Sequence, residues 1–299
     1  MITTKSLITT KSLITRGVST AELMRSTKVL DHGGRPLRWV PSARTDGGFA
    51  VPGPDHDRLT RRPLVVAVDG PSGSGKSSVS REVARRLDLA YLDTGAMYRA
   101  ACWSALEAGL DLGDTDAIGE HVRRLQLRIG TDPDAPVVTV GGIDITAAIR
   151  ETRISAAVST VATNLQVRAE LRDRQRAIID ACRLGERHGC VAEGRDITTV
   201  VAPDADVRIL LTADERARLS RRALEVHGST DEDALRATRD QVIRRDADDS
   251  TVSSFQVAAD GVLLLDSSRL DFEQTVQAVL DAIGMTVDLT APAVRAGGC

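Results

Sequence analysis

The chain has 299 residues, 42% of them hydrophobic and 27% charged, which is enough apolar material to bury a core in one large domain or two small ones. Its net charge of −3 and 2% aromatic content argue against a dedicated nucleic-acid binder, which draws on a basic surplus and stacking rings. Four cysteines without a CxxC pair argue against a zinc or disulfide framework, and no apolar run nears the ~18 residues of a membrane span, so a cytoplasmic protein with no membrane partner is expected.

Residues 1–62 differ from the rest. ITTKSL at 2–7 recurs at 8–13, and 31–62 is rich in Gly, Pro, Arg and Asp. Neither part keeps a strand or helix period, which predicts a disordered extension. From Pro63 the pattern changes. Leu64-Val65-Val66-Ala67-Val68, ending in Asp69, reads as a buried parallel strand. A Gly-rich turn follows, then a helical stripe from Ser77 to Leu87 carrying Val79, Val83, Ala84 and Leu87. Ala90-Tyr91-Leu92 reads as a second strand, and helical patterns fill 95–109 and 115–125.

Between 126 and 146, short β-prone runs separated by Asp-Pro-Asp and Gly-Gly turns predict a small antiparallel sheet. A long helix is expected over about 165–183. Strands are expected at Cys190-Val191-Ala192, at Val207 to Leu211 and at Val262 to Leu265. Strands alternating with helices around a Gly-rich turn imply an α/β fold with a parallel sheet, interrupted by the antiparallel insertion.

Gly70-Pro71-Ser72-Gly73-Ser74-Gly75-Lys76-Ser77 fits G-x-x-x-x-G-K-[ST] between an apolar strand and an amphipathic helix. The glycines let consecutive N–H groups converge on one phosphate, and the helix N-terminus behind them adds a favourable dipole. Lys76 can reach the β/γ-phosphates and the Ser77 hydroxyl can help hold Mg²⁺, directly or through water. This predicts a nucleoside triphosphate site over Gly70 to Ser78. It does not name the acceptor. A GTPase would show N-K-x-D, which is absent. A mechanical ATPase needs a strand ending in a Mg²⁺-binding Asp, and Asp266 is better read as an ordinary strand end. A kinase acting on a nucleotide must hold two polyanions together and so needs cations; Arg99, Arg168, Arg195, Arg221, Arg222, Arg244 and Arg245 are candidates.

Four strings carry a resemblance: Asp69-Gly70-Pro71-Ser72-Gly73; Asp93-Thr94-Gly95-Ala96-Met97-Tyr98-Arg99; Ser159 with Val167-Arg168 and Arg174-Gln175-Arg176; and Glu193-Gly194-Arg195-Asp196-Ile197. With them the chain resembles bacterial cytidylate kinases of the nucleoside monophosphate kinase family, the actinobacterial kind above all, over about 64–285. The resemblance implies a P-loop NTPase-like five-stranded parallel sheet flanked by helices, in a domain over 63–285. It implies an acceptor-binding region over about 94–172 that holds the antiparallel insertion, a helical lid over about 213–256, and a flexible tail at 286–299.

Carried over residue by residue, Thr94, Arg99 and Arg195 contact the acceptor phosphate and Tyr98 flanks the acceptor. Ser159, Arg168 and Asp196 read the cytosine edge, whose amino donor and two acceptors suit a carboxylate, a hydroxyl and a guanidinium. Arg245 lies near the phosphates and Asp249 near the ribose. Lys76, Arg195 and Arg245 would be the catalytic cations. The implied reaction is transfer from ATP, with Mg²⁺, to CMP and dCMP, by a monomer with no nucleic-acid partner. Two departures stand out. Thr198 occupies a position usually held by Gly, and no Arg follows Asp249 until Arg269, where the family's lid carries one shortly after this Asp. These departures leave two alternatives: a paralogue with another acceptor, and a nucleotide binder without activity.

Overall fold

A computed structural model describes residues 29–30 and 62–287. Apart from Val29, Leu30 and Arg62, the expected extension lies outside the described residues, as does the tail beyond 287. In chain order, β1 (Val29–Leu30) is a two-residue strand and β2 (Leu64–Asp69) is buried along its whole length. The phosphate loop leads into α1 (Lys76–Arg86), which turns Val79, Val83 and Ala84 inward. After β3 (Ala90–Asp93) come α2 (Thr94–Glu107) and α3 (Thr115–Arg124). Their N-termini are capped by Asp93 and Asp114, whose carboxylates accept from Ala96 N and Ala117 N.

β4 (Leu127–Ile129), β5 (Val138–Val140) and β6 (Ile143–Asp144) form the expected antiparallel sheet. Gly141 and Gly142 make its tight turn at positive φ, 58° and 85°. Then come α4 (Thr152–Ala162), which the sequence reading had not assigned, and α5 (Leu165–Leu184), which buries Val167, Leu171, Gln175 and Ile179 at four-residue spacing. β7 (Gly189–Gly194) ends in a π-helical turn over Ile197–Val201. β8 (Val207–Thr212), α6 (Glu215–His227), α7 (Glu232–Ser250), β9 (Leu263–Asp266) and α8 (Phe272–Thr286) complete the described chain.

The five parallel strands stand in the order β3-β7-β2-β8-β9, with β1 paired antiparallel on the β9 edge. Alternation along β2 sends Val65 and Ala67 to one core, shared with residues of α2, α4 and α5. Leu64, Val66 and Val68 go to the other, shared with residues of α1 and α8. The chain leaves β2 toward β3 on one side and later adds β8 on the other. The crevice at the carboxyl ends of β2, β7 and β3 is therefore the place where an open α/β sheet receives a ligand.

α6 and α7 pack as a pair joined at Gly228, whose φ of 68° ends the first helix. α7 also reaches α4 across the crevice. Among the described residues its buried positions are Ala234, Thr238, Val242, Asp246 and Asp249. The stripe thus changes from apolar to acidic at its end, a pattern that calls for cations or N–H donors as neighbours.

Candidate active site

The crevice is a cleft of about 830 Å³, of nucleotide-binding size. One end is the loop over 70–77. Gly73 and Gly75 take positive φ, 76° and 87°, and Gly75 begins α1 without a side-chain cap, which leaves its first N–H groups for a ligand. The loop has no room to shift: a Cβ on Gly70 would lie 2.2 Å from the Leu211 carbonyl oxygen, and one on Gly73 would lie 2.4 Å from that of Arg218. Lys76, Ser77 and Ser78 line the cleft beside Ser72, Gly73 and Gly75. Pro71 accepts a long 3.5 Å contact from Lys76 Nζ, and the buried Ser74 hydroxyl has no hydrogen-bond partner among the described residues.

Ser77 Oγ donates to Glu193 Oε1 at 2.7 Å. Glu193 is buried at the end of β7, the strand hydrogen-bonded to β2. Burial and the neighbouring Asp93 push its carboxyl up to about 7, against the opposing influence of Lys76, the Ser77 hydroxyl and Arg99. Glu193 carries no motif signal of its own beyond its string. Asp266 ends β9, which β8 separates from β2, in keeping with an ordinary strand end, and the carboxylate that meets Ser77 is Glu193. Its distance to Ser77 makes an oxygen-donor pair suited to a small hard cation that keeps most of its water and phosphate ligands.

The wall facing the loop lies on α2, α4, α5 and the turn after β7. Arg99 Nη2 donates to Asp93 at 2.8 Å while its buried Nε has no partner among the described residues. Burial would raise the Asp93 carboxyl, but Arg99 and the Ala96 N–H outweigh it and hold it below the ordinary range. Thr94 lines the cleft with its hydroxyl donated to the Glu193 carbonyl at 2.7 Å. Engaging a phosphate through that hydroxyl requires it to turn away from this carbonyl.

Arg168 donates to Asp196 and, at 3.3 Å, to the Ala162 carbonyl; burial raises the Asp196 carboxyl and Arg168 restrains it. Tyr98, its phenol pushed up by burial, faces the same cleft. α4 supplies Thr152, Ser155, Val158 and Ala162 to the wall. Ser159 lies one turn beyond Ser155, half-buried, and is not among the lining residues.

α7 packs against Arg195. Its Nη1 meets Asp246 at 2.7 Å, its Nε meets Asp249 at 2.8 Å, and its guanidinium carbon lies 4.4 Å from the centroid of the Phe255 ring. Asp246 accepts in addition from Ser72 N at 3.1 Å and from Arg218, which donates to the Ser72 carbonyl at 3.0 Å. α7 is thereby fastened to the phosphate loop. Asp249 contacts Arg195 here, and the side chain of Arg245 lies outside the described residues. Of the other arginines, Arg221 ties Ser74 to Ser267 and Leu270, Arg222 lines the cleft and Arg244 is exposed. Arg150 lines the cleft near Asp93, at the end of a short 3₁₀ turn that carries no motif signal.

Thr198 needs no glycine-like backbone, since it is not among the described residues at positive φ. Its Oγ and N both donate to Asp69 Oδ2, at 2.6 and 2.8 Å, and Ile197 N donates to Oδ1 at 2.9 Å. The buried Asp69 thus pins the turn that carries Arg195 and Asp196 to the strand that carries the phosphate loop.

The cytidylate kinase family model matches residues 66–285. The chain is 48% identical to the cytidylate kinase of Nocardia farcinica, over 72% of this chain and 90% of the relative. It is 45% identical to that of Cutibacterium acnes, over 77% of this chain and the whole of the relative, and 40% identical to that of Streptomyces avermitilis, over 74% and 92%. On a match that spans the sheet, the insertion and the lid together, the chain belongs to the cytidylate kinase family.

Proposed function

We propose the following roles within the reaction of this family, transfer of the ATP γ-phosphoryl to CMP to give CDP, with dCMP as a second acceptor. The observation that carries the assignment is the convergence of Arg99, Arg168, Arg195 and Asp196 with Lys76 in one cleft. The loop N–H groups and Lys76 hold the triphosphate. Ser77 and Glu193 would hold Mg²⁺, directly or through water, and the ion would supply positive charge to offset that of the phosphates. Arg99, whose Nε has no partner among the described residues, takes the acceptor phosphate with Thr94. Arg168 and Asp196, with Ser159, read the cytosine edge, and Tyr98 packs beside it.

Arg195 faces the transferring group and Arg245 assists it from the lid. Asp249 is the ribose contact once Arg195 engages phosphate instead. No general base is required, because a phosphate acceptor is already anionic at neutral pH, and catalysis rests on positioning and cations. Lid closure excludes water and limits idle hydrolysis of ATP.

The protein acts as a monomer on small nucleotides, without nucleic acid, in keeping with its net charge of −3. Among the described residues no helix is long and apolar enough to cross a membrane. We place the activity in the cytoplasm, where free Cys102, Cys182 and Cys190 suit reducing conditions. A coupled ADP-release assay across CMP, dCMP, UMP and AMP tests the proposal: ADP is expected with CMP and dCMP. A protein that binds ATP and releases no ADP with either acceptor refutes it.

A further inference from the structure

From Asp246 to Ser268 the sequence holds neither Arg nor Lys, so beyond Arg245 this end of the lid brings no cation to the cleft. In its place the chain sends an aromatic ring inward. Phe255 is 1% exposed and is held by Leu210 of β8 and Val262 just before β9. It is anchored in the body of the sheet rather than on the lid helices. Its face lies under the Arg195 guanidinium at 4.4 Å.

The other contacts of Arg195 are of a different kind. Asp246 and Asp249 both ride on α7, and both leave Arg195 if α7 swings away to admit nucleotides. Both also compete with phosphate for the same N–H groups. The ring competes with neither, because it holds the planar face and leaves the donor edge free.

We propose that Phe255 is a positioning residue for the phosphoryl transfer. Its ring keeps the guanidinium of Arg195 in the plane from which it can exchange lid carboxylates for phosphate. The inference rests on the assignment of Arg195 to the transferring group made above. A ring that merely fills space would be replaceable by any apolar side chain of similar size. One that orients a cation acts through the negative face of its π-system, which fluorine substitution drains while hardly changing volume.

The test is a series in the full-length protein with phenylalanine, 4-fluoro-, 3,5-difluoro- and 3,4,5-trifluorophenylalanine at position 255, together with Phe255→Leu, Phe255→Tyr and Arg195→Met. Turnover and KM are read for ATP and CMP, and melting temperature is read alongside. Log kcat is expected to fall stepwise with fluorine number, by about 2- to 30-fold in total, with little change in KM for ATP or in melting temperature. Phe255→Leu falls at the low end of the series, and Phe255→Tyr stays near wild type. A flat fluorine series while Arg195→Met loses more than about 100-fold overturns the role of the ring and leaves that of Arg195 standing. If Arg195→Met retains wild-type turnover, the assignment of Arg195 falls and the inference with it.

Discussion

Replacing Thr198 by valine removes one oxygen from the site and almost nothing else. The hydroxyl donates at 2.6 Å to Asp69, which is 1% exposed, and valine refills the volume, so no cavity adds to the cost. A hydrogen bond to a charged acceptor is worth about 1.5–3 kcal/mol. In a domain of this size each kcal/mol moves the melting temperature by about 2–4 °C, so a fall of roughly 3–12 °C is expected.

The loss also depends on pH. Burial pushes the Asp69 carboxyl from 3.8 up to about 6, restrained by the Thr198 hydroxyl and by the Thr198 and Ile197 N–H groups. Between these values the folded protein binds the proton more tightly than the unfolded chain. Stability therefore falls as pH rises across that window, by on the order of 3 kcal/mol, and levels off above it. Without the hydroxyl the folded pKa rises further, so the decline runs to higher pH and the gap between variant and wild type is wider at pH 8 than at pH 5. Thermal melts followed by circular dichroism at both pH values measure this. Melting temperatures within about 1 °C of wild type at both would refute the claim that Thr198 supports a buried carboxylate.

Glu193→Gln exchanges a carboxyl strained by burial for a neutral amide that can still accept from Ser77; the melting temperature is expected to hold or rise, while Mg²⁺ titrations of activity shift to higher concentration and turnover falls at least about tenfold. Arg168→Met strands the buried Asp196 and removes a base-reading fork. CMP kcat/KM should drop by about 10²–10⁴-fold, with the preference for CMP over UMP narrowing in the same nucleotide panel. Asp246→Asn takes the shared counter-charge from Arg195 and Arg218. Limited proteolysis in the 228–231 turn should speed up by about fivefold or more, and ADP release without acceptor should increase. Gly70→Ala drives a Cβ to 2.2 Å from backbone and is expected to abolish ATP binding, read by fluorescence titration with a labelled ATP analogue.

The parts of this protein legible along the chain are those whose signal is local. A strand, a Gly-rich turn and a helix occupy consecutive residues, so the phosphate loop declared itself by period and by glycine placement. Thr94 to Arg99 was equally legible, because Asp93 both ends a strand and caps the helix that carries these side chains. The antiparallel insertion followed from its turns. Glu193 was hidden for the opposite reason. Nothing within a few residues marks it as the partner of Ser77, 116 positions earlier, and only the pairing of β7 with β2 brings them together. The wall that α4 presents to the cleft is made by Thr152, Ser155, Val158 and Ala162, near rather than at the motif Ser159.

Lys76 could thus be chosen from residue type and spacing, while Arg99, Arg168 and Asp196 were legible through the strings that resemble the family. Which charges neutralise one another could not, because a buried ion pair depends on position in space and the partners here come from different elements. Asp246 joins α7 to the loop over 174 residues, and Phe255 meets Arg195 from its seat against Leu210 and Val262. The sequence by itself determined the phosphate loop and the family to which the chain belongs. The tertiary structure alone decided how the lid is fastened and which side chains hold Arg195, because desolvation and close contact act between neighbours in three dimensions, not along the chain.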